Sequence, residues 1–348
     1  MDEPLEIQED VDLAPLTTFK VGGKARFFTE VVEKGQAIAA LKFAHDRSVP
    51  VFVLGGGSNV LIADRGFDGL VIKIAIPGIE RTDHPDGTVN LSVGAGEDWD
   101  RLVKYCVDHG LAGIECLSGI PGSVGGTPVQ NVGAYGQEVS ESIVSVSCLD
   151  RQTYEVRILE NAECGFAYRT SIFNTTAKDQ FVVLAVNFRL APGGAAKVEY
   201  KELLERFGNL EPSLSDVRAE VLKIRRSKSM VVDEDDPNSR GAGSFFKNPI
   251  VSLAEYQRLE SRFGNVPSFP VATNNVKIPA AWLIENAGIK KGFVFRQAGV
   301  SANHTLAIVN RGHATARDVL DLKMLIQEAV SDKYGIELQP EPLFIGFP

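Results

Sequence analysis

The chain has 348 residues, more than one typical domain, so two or three domains are expected. Its 44% hydrophobic and 23% charged content is ordinary for a soluble globular protein. With 36 basic against 45 acidic residues the net charge is -9, which argues against nonspecific nucleic-acid binding but leaves room for a locally positive pocket around a phosphorylated small ligand.

Leu13 to Gly23 reads as an extended lead-in followed by a turn, and Ala37 to Asp46 has helical spacing, with Ile38, Leu41 and Phe43 toward a core. Pro50 to Leu54 is a short apolar strand, followed at once by Gly55-Gly56-Gly57-Ser58-Asn59. Two readings of that loop stand. It is a tight hairpin, or it is a concave set of backbone N–H groups that grips a pyrophosphate with help from Ser58 and Asn59. The Rossmann glycine spacing is absent, and residues 60–66 read as a strand or irregular turn rather than the helix that fingerprint needs. Leu70 to Ile76 and Val89 to Val93 are strands, and Asp98 to His109 is an amphipathic helix carrying Leu102, Val103 and Cys106.

Gly119 to Gly136 dominates the sequence. Gly119, Gly122, Gly125, Gly126, Gly133 and Gly136 punctuate it, with Pro121 and Pro128 between them, and it follows neither helical nor strand periodicity. Glycine loses the most freedom on ordering, so this density implies positive backbone angles or something packed on the main chain. A mobile linker is the alternative, but Ile120, Val124, Val129, Val132 and Tyr135 make the stretch too apolar for one, and a buried ligand cradle is expected.

Ile143 to Leu149, Glu155 to Leu159 and Phe181 to Leu190 read as consecutive antiparallel strands. Tyr200 to Arg206 begins a helix, and Ser213 starts another that runs to about Arg226. A charged loop from Val232 to Arg240 precedes Gly241-Ala242-Gly243-Ser244-Phe245-Phe246-Lys247-Asn248-Pro249. Leu253 to Phe263, Pro279 to Ala287 and Ala316 to Val330 are expected helices, Leu306 to Asn310 a strand, and Leu338 to Ile345 a closing strand that carries Glu341. Composition shifts near Pro212, giving an α+β chain with expected domains 1–78, 79–211 and 212–348.

Cys106, Cys116, Cys148 and Cys164 lack paired spacing and sit among apolar neighbours, so buried thiols in a reducing compartment are expected. No apolar run approaches the roughly 18 residues of a membrane span, and the acidic Met-Asp-Glu-Pro-Leu-Glu start lacks an export core; cytoplasmic residence is expected. The five histidines show no metal-ligand spacing, and only His304 lies in a loop-rich region beside a predicted strand. Arg169 sits in an aromatic segment of low charge, where a guanidinium seeks a carboxylate or phosphate, or simply a structural ion pair. Ser244 follows a Gly-Ala-Gly turn as a cap or a reactive hydroxyl; Glu341, between Pro340 and Pro342, is a buried acid needing a partner or a surface acid.

Six segments in order carry a resemblance: Thr17-Thr18-Phe19-Lys20-Val21-Gly22-Gly23, Gly55 to Leu61, Gly119 to Gly136, Tyr168-Arg169-Thr170-Ser171-Ile172-Phe173, Gly243 to Pro249 and Pro340-Glu341. From about Leu13 to Gly346 the chain resembles the MurB family of UDP-N-acetylenolpyruvoylglucosamine reductases, in its longer branch with a tyrosine loop. The resemblance implies an FAD-binding fold of the vanillyl-alcohol-oxidase type in two subdomains, with a C-terminal α+β substrate domain. It implies NADPH as hydride donor, noncovalent FAD, and reduction of UDP-N-acetylglucosamine enolpyruvate to UDP-N-acetylmuramate for peptidoglycan synthesis; a monomer is expected. The catalytic positions it assigns are Ser244 as proton donor, with Arg169 and Glu341 at the substrate carboxylate. Gly55, Gly56, Gly57, Ser58, Asn59, Gly119, Gly122, Ser123, Gly125, Gly126 and Arg225 are the implied cofactor contacts. Tyr168, Tyr200, Lys228, Asn248 and His304 are the implied substrate contacts, and no metal is expected. The sequence departs from that pattern at Phe269 (often tyrosine), Asn174 (commonly lysine), Leu343 (often arginine) and His304 (glutamine in one branch). Rival readings are another FAD-dependent sugar or hydroxy-acid oxidoreductase of the same fold, or a non-catalytic nucleotide-sugar binder. Neither residues 55–61 nor 119–136 offer a histidine or cysteine for covalent flavin.

Overall fold

The computed structural model describes residues 5–271 and 274–347. They form two compact units, each built from separated stretches of chain. The first takes the residues up to Asp12, Lys24–Gly57 and Phe67–Val231; the second takes Leu13–Gly23, Ser58–Gly66 and the chain from Val232 onward. The expected boundary at 211/212 therefore moves to 231/232. The reason is local: Val217 and Val221 of the helix Leu214–Ser227 pack with Cys116 and Leu203, and Arg218 grips Asp100 through two bonds of 2.7 and 2.8 Å.

Among its described residues the first unit holds two large sheets and a two-stranded ribbon of Gly133–Ala134 with Gln137–Glu138. One runs Gln8–Asp12, Lys24–Val31, Phe67–Ile74, Val51–Leu54, with only the first pair antiparallel. Its core strand Phe67–Ile74 is buried without a break from Gly69 to Ile72, as a parallel strand covered on both faces should be. The other sheet, wholly antiparallel, runs Val156–Glu160, Ile143–Asp150, Phe181–Pro192, Val89–Gly94, Ile79–Asp83, with Leu111–Ala112 pairing the end of the long strand. The helix Trp99–Asp108 is capped by the Asp98 carboxylate accepting from Arg101 N, and turns Trp99, Leu102, Val103 and Cys106 into the core. All four cysteines are buried free thiols, and burial pushes those of Cys106, Cys116 and Cys148 up to about 12.

The second unit is organised around Phe19, Leu61, Phe245, Phe246, Leu283, Ile308 and Leu322. Leu343–Ile345 pairs in parallel with Val60–Ile62. Two three-stranded sheets, Ile250–Ser252 with Asn275–Lys277 and Phe269–Val271, and Val294–Phe295 with Ala298–Val300 and Ile308–Asn310, complete it with the helices Leu253–Phe263, Ala280–Asn286 and Ala316–Tyr334. The Asp64 carboxylate accepts from Ala316 N and Arg317 N at 2.7 and 3.0 Å, placing negative charge on the N-terminus of the longest helix. Two expectations are corrected. Glu341 precedes the closing strand, which is only Leu343–Ile345; Pro340 and Pro342, lacking N–H groups, cannot extend its ladder. Gly55–Asn59 is not a hairpin, because Val51–Leu54 and Val60–Ile62 pair in different sheets.

Candidate active site

In the first unit the two glycine loops meet main chain to main chain. A Cβ on Gly56 would lie 2.5 Å from Gly122 Cα, and one on Gly55 would lie 2.7 Å from Ser123 Oγ. Gly122 itself needs its hydrogen for another reason, a φ of 128°. Gly125 is packed on Ala95, whereas Gly126 faces open space. The Ser123 hydroxyl is buried and has no hydrogen-bond partner among the described residues. Such an orphan costs free energy unless something bonds to it.

Beside Gly119 (φ 72°), Arg225 is 6% exposed; its Nη2 donates to Met230 O at 2.6 Å, while Nε has no partner among the described residues. A Cβ on Gly119 would come within 3.3 Å of that nitrogen. Burial pulls the Arg225 guanidinium below its usual range, although Tyr135 and Asp100 oppose the shift. Burial pushes the Tyr135 phenol up to about 12 against the opposing pull of Arg225, and its ring meets Tyr200 edge-on at 5.3 Å. A buried cation beside Gly119 whose Nε has no partner among the described residues, and a buried Ser123 hydroxyl likewise without one, suit an anionic nucleotide. These residues fit FAD.

Arg169 also belongs to the first unit. It occupies the left-handed region (φ 54°) in a turn closed by the reciprocal bonds of Ala167 and Thr170. Its Nη2 donates to Gly133 O at 2.6 Å and its Nη1 to Asn131 O at 3.5 Å. Asn131 is buried and is held by Glu138 and by Ser140 N, so the central glycine stretch aims the arginine. That role of Asn131 was missed in the sequence; the signal for it was an asparagine, tolerant of positive φ, between Gln130 and Val132. Tyr168 stacks its ring 5.5 Å from the guanidinium. Tyr200 is exposed, and Lys228 Nζ meets both Glu202 oxygens at 2.8 Å, so any phosphate would compete with that pair.

The second unit brings Ser244 and Glu341 together. Glu341 N donates to Phe245 O at 2.9 Å, and Phe246 bridges Pro340, so the two segments lie side by side. Asn59 secures the same segment from its other side: its Nδ2 donates to Glu341 O at 3.3 Å, and its O accepts from Leu343 N. Gly243, at φ 70°, makes the turn that presents Ser244, whose Oγ lies 3.4 Å from His304 Nε2. Asn248 is partly committed elsewhere: its Oδ1 accepts from Ala280 N and caps a helix. Thr18 Oγ1 donates to Gly241 O at 2.6 Å, which accounts for one of the early motif residues as a brace for this turn. Among the described residues there is no cluster able to hold a metal ion, and no helix long and apolar enough to cross a membrane.

Fold and site together define a flavin-binding α+β protein followed by a distinct C-terminal domain. The family model for an FAD binding domain matches residues 26–158, and that for the C-terminal domain of UDP-N-acetylenolpyruvoylglucosamine reductase matches 235–345. UDP-N-acetylenolpyruvoylglucosamine reductase from Thermobifida fusca is 44% identical, over 97% of this chain and 97% of its own. The Streptomyces coelicolor protein of that name is 42% identical over 99% and 91%. The crystal structure of UDP-N-acetylenolpyruvylglucosamine reductase from Thermus caldophilus superposes with a TM-score of 0.66 at 26% identity, covering 98% of this chain and 99% of that one. The chain belongs to the UDP-N-acetylenolpyruvoylglucosamine reductase family.

Proposed function

We propose that the chain reduces the enolpyruvyl ether of UDP-N-acetylglucosamine enolpyruvate to UDP-N-acetylmuramate, with Ser244, Arg169 and Glu341 as its catalytic residues. The observation that carries the reading is the Ser244 turn, hydrogen-bonded alongside the Glu341 segment in a chain of this family. FAD, when bound, would supply the chemistry of hydride transfer between NADPH and the enolpyruvyl ether. Gly55, Gly56, Gly57, Ser58, Asn59, Gly119, Gly122, Ser123, Gly125, Gly126 and Arg225 would hold it noncovalently.

Hydride addition leaves negative charge on the neighbouring carbon and its carboxylate. Arg169, fixed by the Gly133 and Asn131 carbonyls, sets a cation toward that charge without reorganising as it develops. Glu341 stands as the hydrogen-bonding acid toward the same carboxylate. Ser244 gives the carbon its proton, a transfer of a kind worth about 10²–10⁴-fold. Tyr168, Tyr200, Lys228 and Asn248 serve the substrate directly, while His304 lies against Ser244. A monomer resident in the cytoplasm completes the proposal; the four buried free thiols favour a reducing compartment.

Rapid-mixing absorbance of the purified yellow protein separates the two halves of turnover. Ser244→Ala should bleach with NADPH at close to the wild-type rate, then fail to recover colour on addition of the enolpyruvyl substrate. Equal loss in both halves would reduce the serine to a shaping role.

A further inference from the structure

The turn that presents Ser244 has a second polar side chain against it. His304 Nε2 lies 3.4 Å from Ser244 Oγ, and both residues are half-buried. The backbone fixes each of them: Phe245 N donates to Leu306 O at 2.7 Å, and Ala307 N donates to His304 O at 3.1 Å. The contact therefore sits between two segments that are already laced together. It is not the meeting of two loose side chains.

The chemistry decides which way the hydrogen bond must run. A hydroxyl that delivers its hydrogen to carbon cannot spend that hydrogen on a neighbour. An acceptor at this position would draw the O–H away from the substrate and oppose the charge left on oxygen. A donor leaves the hydrogen available and stabilises Oγ as negative charge grows there.

We propose that His304 is a positioning residue for the protonation step, donating its Nε2–H to Ser244 Oγ so that the serine hydrogen faces the substrate. This rests on the reading of Ser244 as proton donor. In the step, the Oγ–H bond breaks as the new C–H bond forms; the electron pair of the broken bond stays on Oγ, held by Nε2–H, until water returns a proton. His304 itself neither gains nor loses a proton in the cycle.

The test is single-turnover reoxidation of pre-reduced holoenzyme by the enolpyruvyl substrate. His304→Ala should slow the saturated rate about 10²-fold, the loss typical of one such donor. Reduction by NADPH, which also certifies the fold, and substrate Kd stay within about 2-fold. His304→Gln, whose amide still donates, recovers the rate to within roughly 5-fold, whereas His304→Glu, an acceptor when ionised, does not. On a Ser244→Ala background, His304→Ala adds less than about 2-fold, because two residues acting through one atom are not additive. A raised Kd with an unchanged saturated rate would make His304 a substrate contact and overturn the proposal. So would a full further loss in the double variant, or glutamate working as well as glutamine. A fast Ser244→Ala enzyme would instead remove the serine reading itself, a result distinguishable from any in the His304 series.

Discussion

Removing one hydroxyl, in Ser123→Ala, should shift the stability of the protein in opposite directions with and without its cofactor. Ser123 is 8% exposed, and its Oγ has no hydrogen-bond partner among the described residues. In the flavin-free protein that oxygen is buried without compensation, a penalty of about 1–3 kcal/mol. Alanine relieves it, so apo-protein should melt higher, by roughly 2–4 °C per kcal/mol for a domain of about 150–250 residues. With Ser123 as a cofactor contact, as proposed, the hydroxyl would bond the nucleotide in the holo-protein, and losing a bond worth about 1.5–3 kcal/mol to a charged group should weaken FAD binding by roughly 10- to 100-fold. Differential scanning calorimetry of apo-protein and fluorescence titration with FAD measure the two effects separately. A variant that melts lower when apo, yet binds FAD as tightly as the parent, would refute the reasoning, for it would mean the hydroxyl serves the protein and not the ligand.

Gly56→Ala drives a Cβ to 2.5 Å from Gly122 Cα, backbone against backbone, and should cost about 1–3 kcal/mol in apo melting as well as flavin retention. Gly126→Ala, with open space around it and no positive φ, should leave apo stability unchanged and weaken FAD alone; a Tm loss equal to that of Gly56→Ala would contradict the packing argument. Arg169→Ala and Glu341→Gln should slow the second half-reaction by at least about 10²-fold with NADPH reduction intact, and unaffected turnover in either variant removes that residue from the mechanism. Burial alone would raise the Asp100 carboxyl, but the Arg218 fork and Gly119 N–H outweigh it and hold the group below the usual range. Its stabilising contribution is thus present above the unfolded value of about 3.9 and is lost as pH falls through the depressed folded value. Asp100→Asn should lower the urea midpoint at pH 7 and flatten its decline below about pH 4; an unchanged acid limb would mean the pair contributes nothing.

Local signals made most of the helices legible. Leu253–Phe263 follows Ser252 with Glu255 three residues on, and Leu214–Ser227 follows Ser213 with Asp216, so side-chain caps mark both starts. The antiparallel strands between Ile143 and Pro192 were readable for the same reason, since each alternates or runs apolar between turns. Lys24–Val31 was overlooked even though it buries alternate residues at its start, and Gln8–Asp12, almost wholly exposed, gave no apolar pattern to find. The division into two interleaved units was not legible at all. It depends on pairings such as Val60 with Leu343, and no window of sequence contains both. Arg169, Ser244 and Glu341 stood out by context, yet their fixings to Gly133, His304 and Phe245 are tertiary facts.

The parallel ribbon of Val60–Ile62 and Leu343–Ile345 sets a timetable for biogenesis. At 5–20 residues per second, the roughly 280 residues separating its halves take about 15–60 s to synthesise. Throughout that interval the early half, three buried apolar side chains in the finished molecule, has no strand to lie against. Until translation has passed Ile345, the nascent polypeptide carries an unsatisfied sticky edge, which makes this segment the natural place for a chaperone to hold or an aggregate to begin.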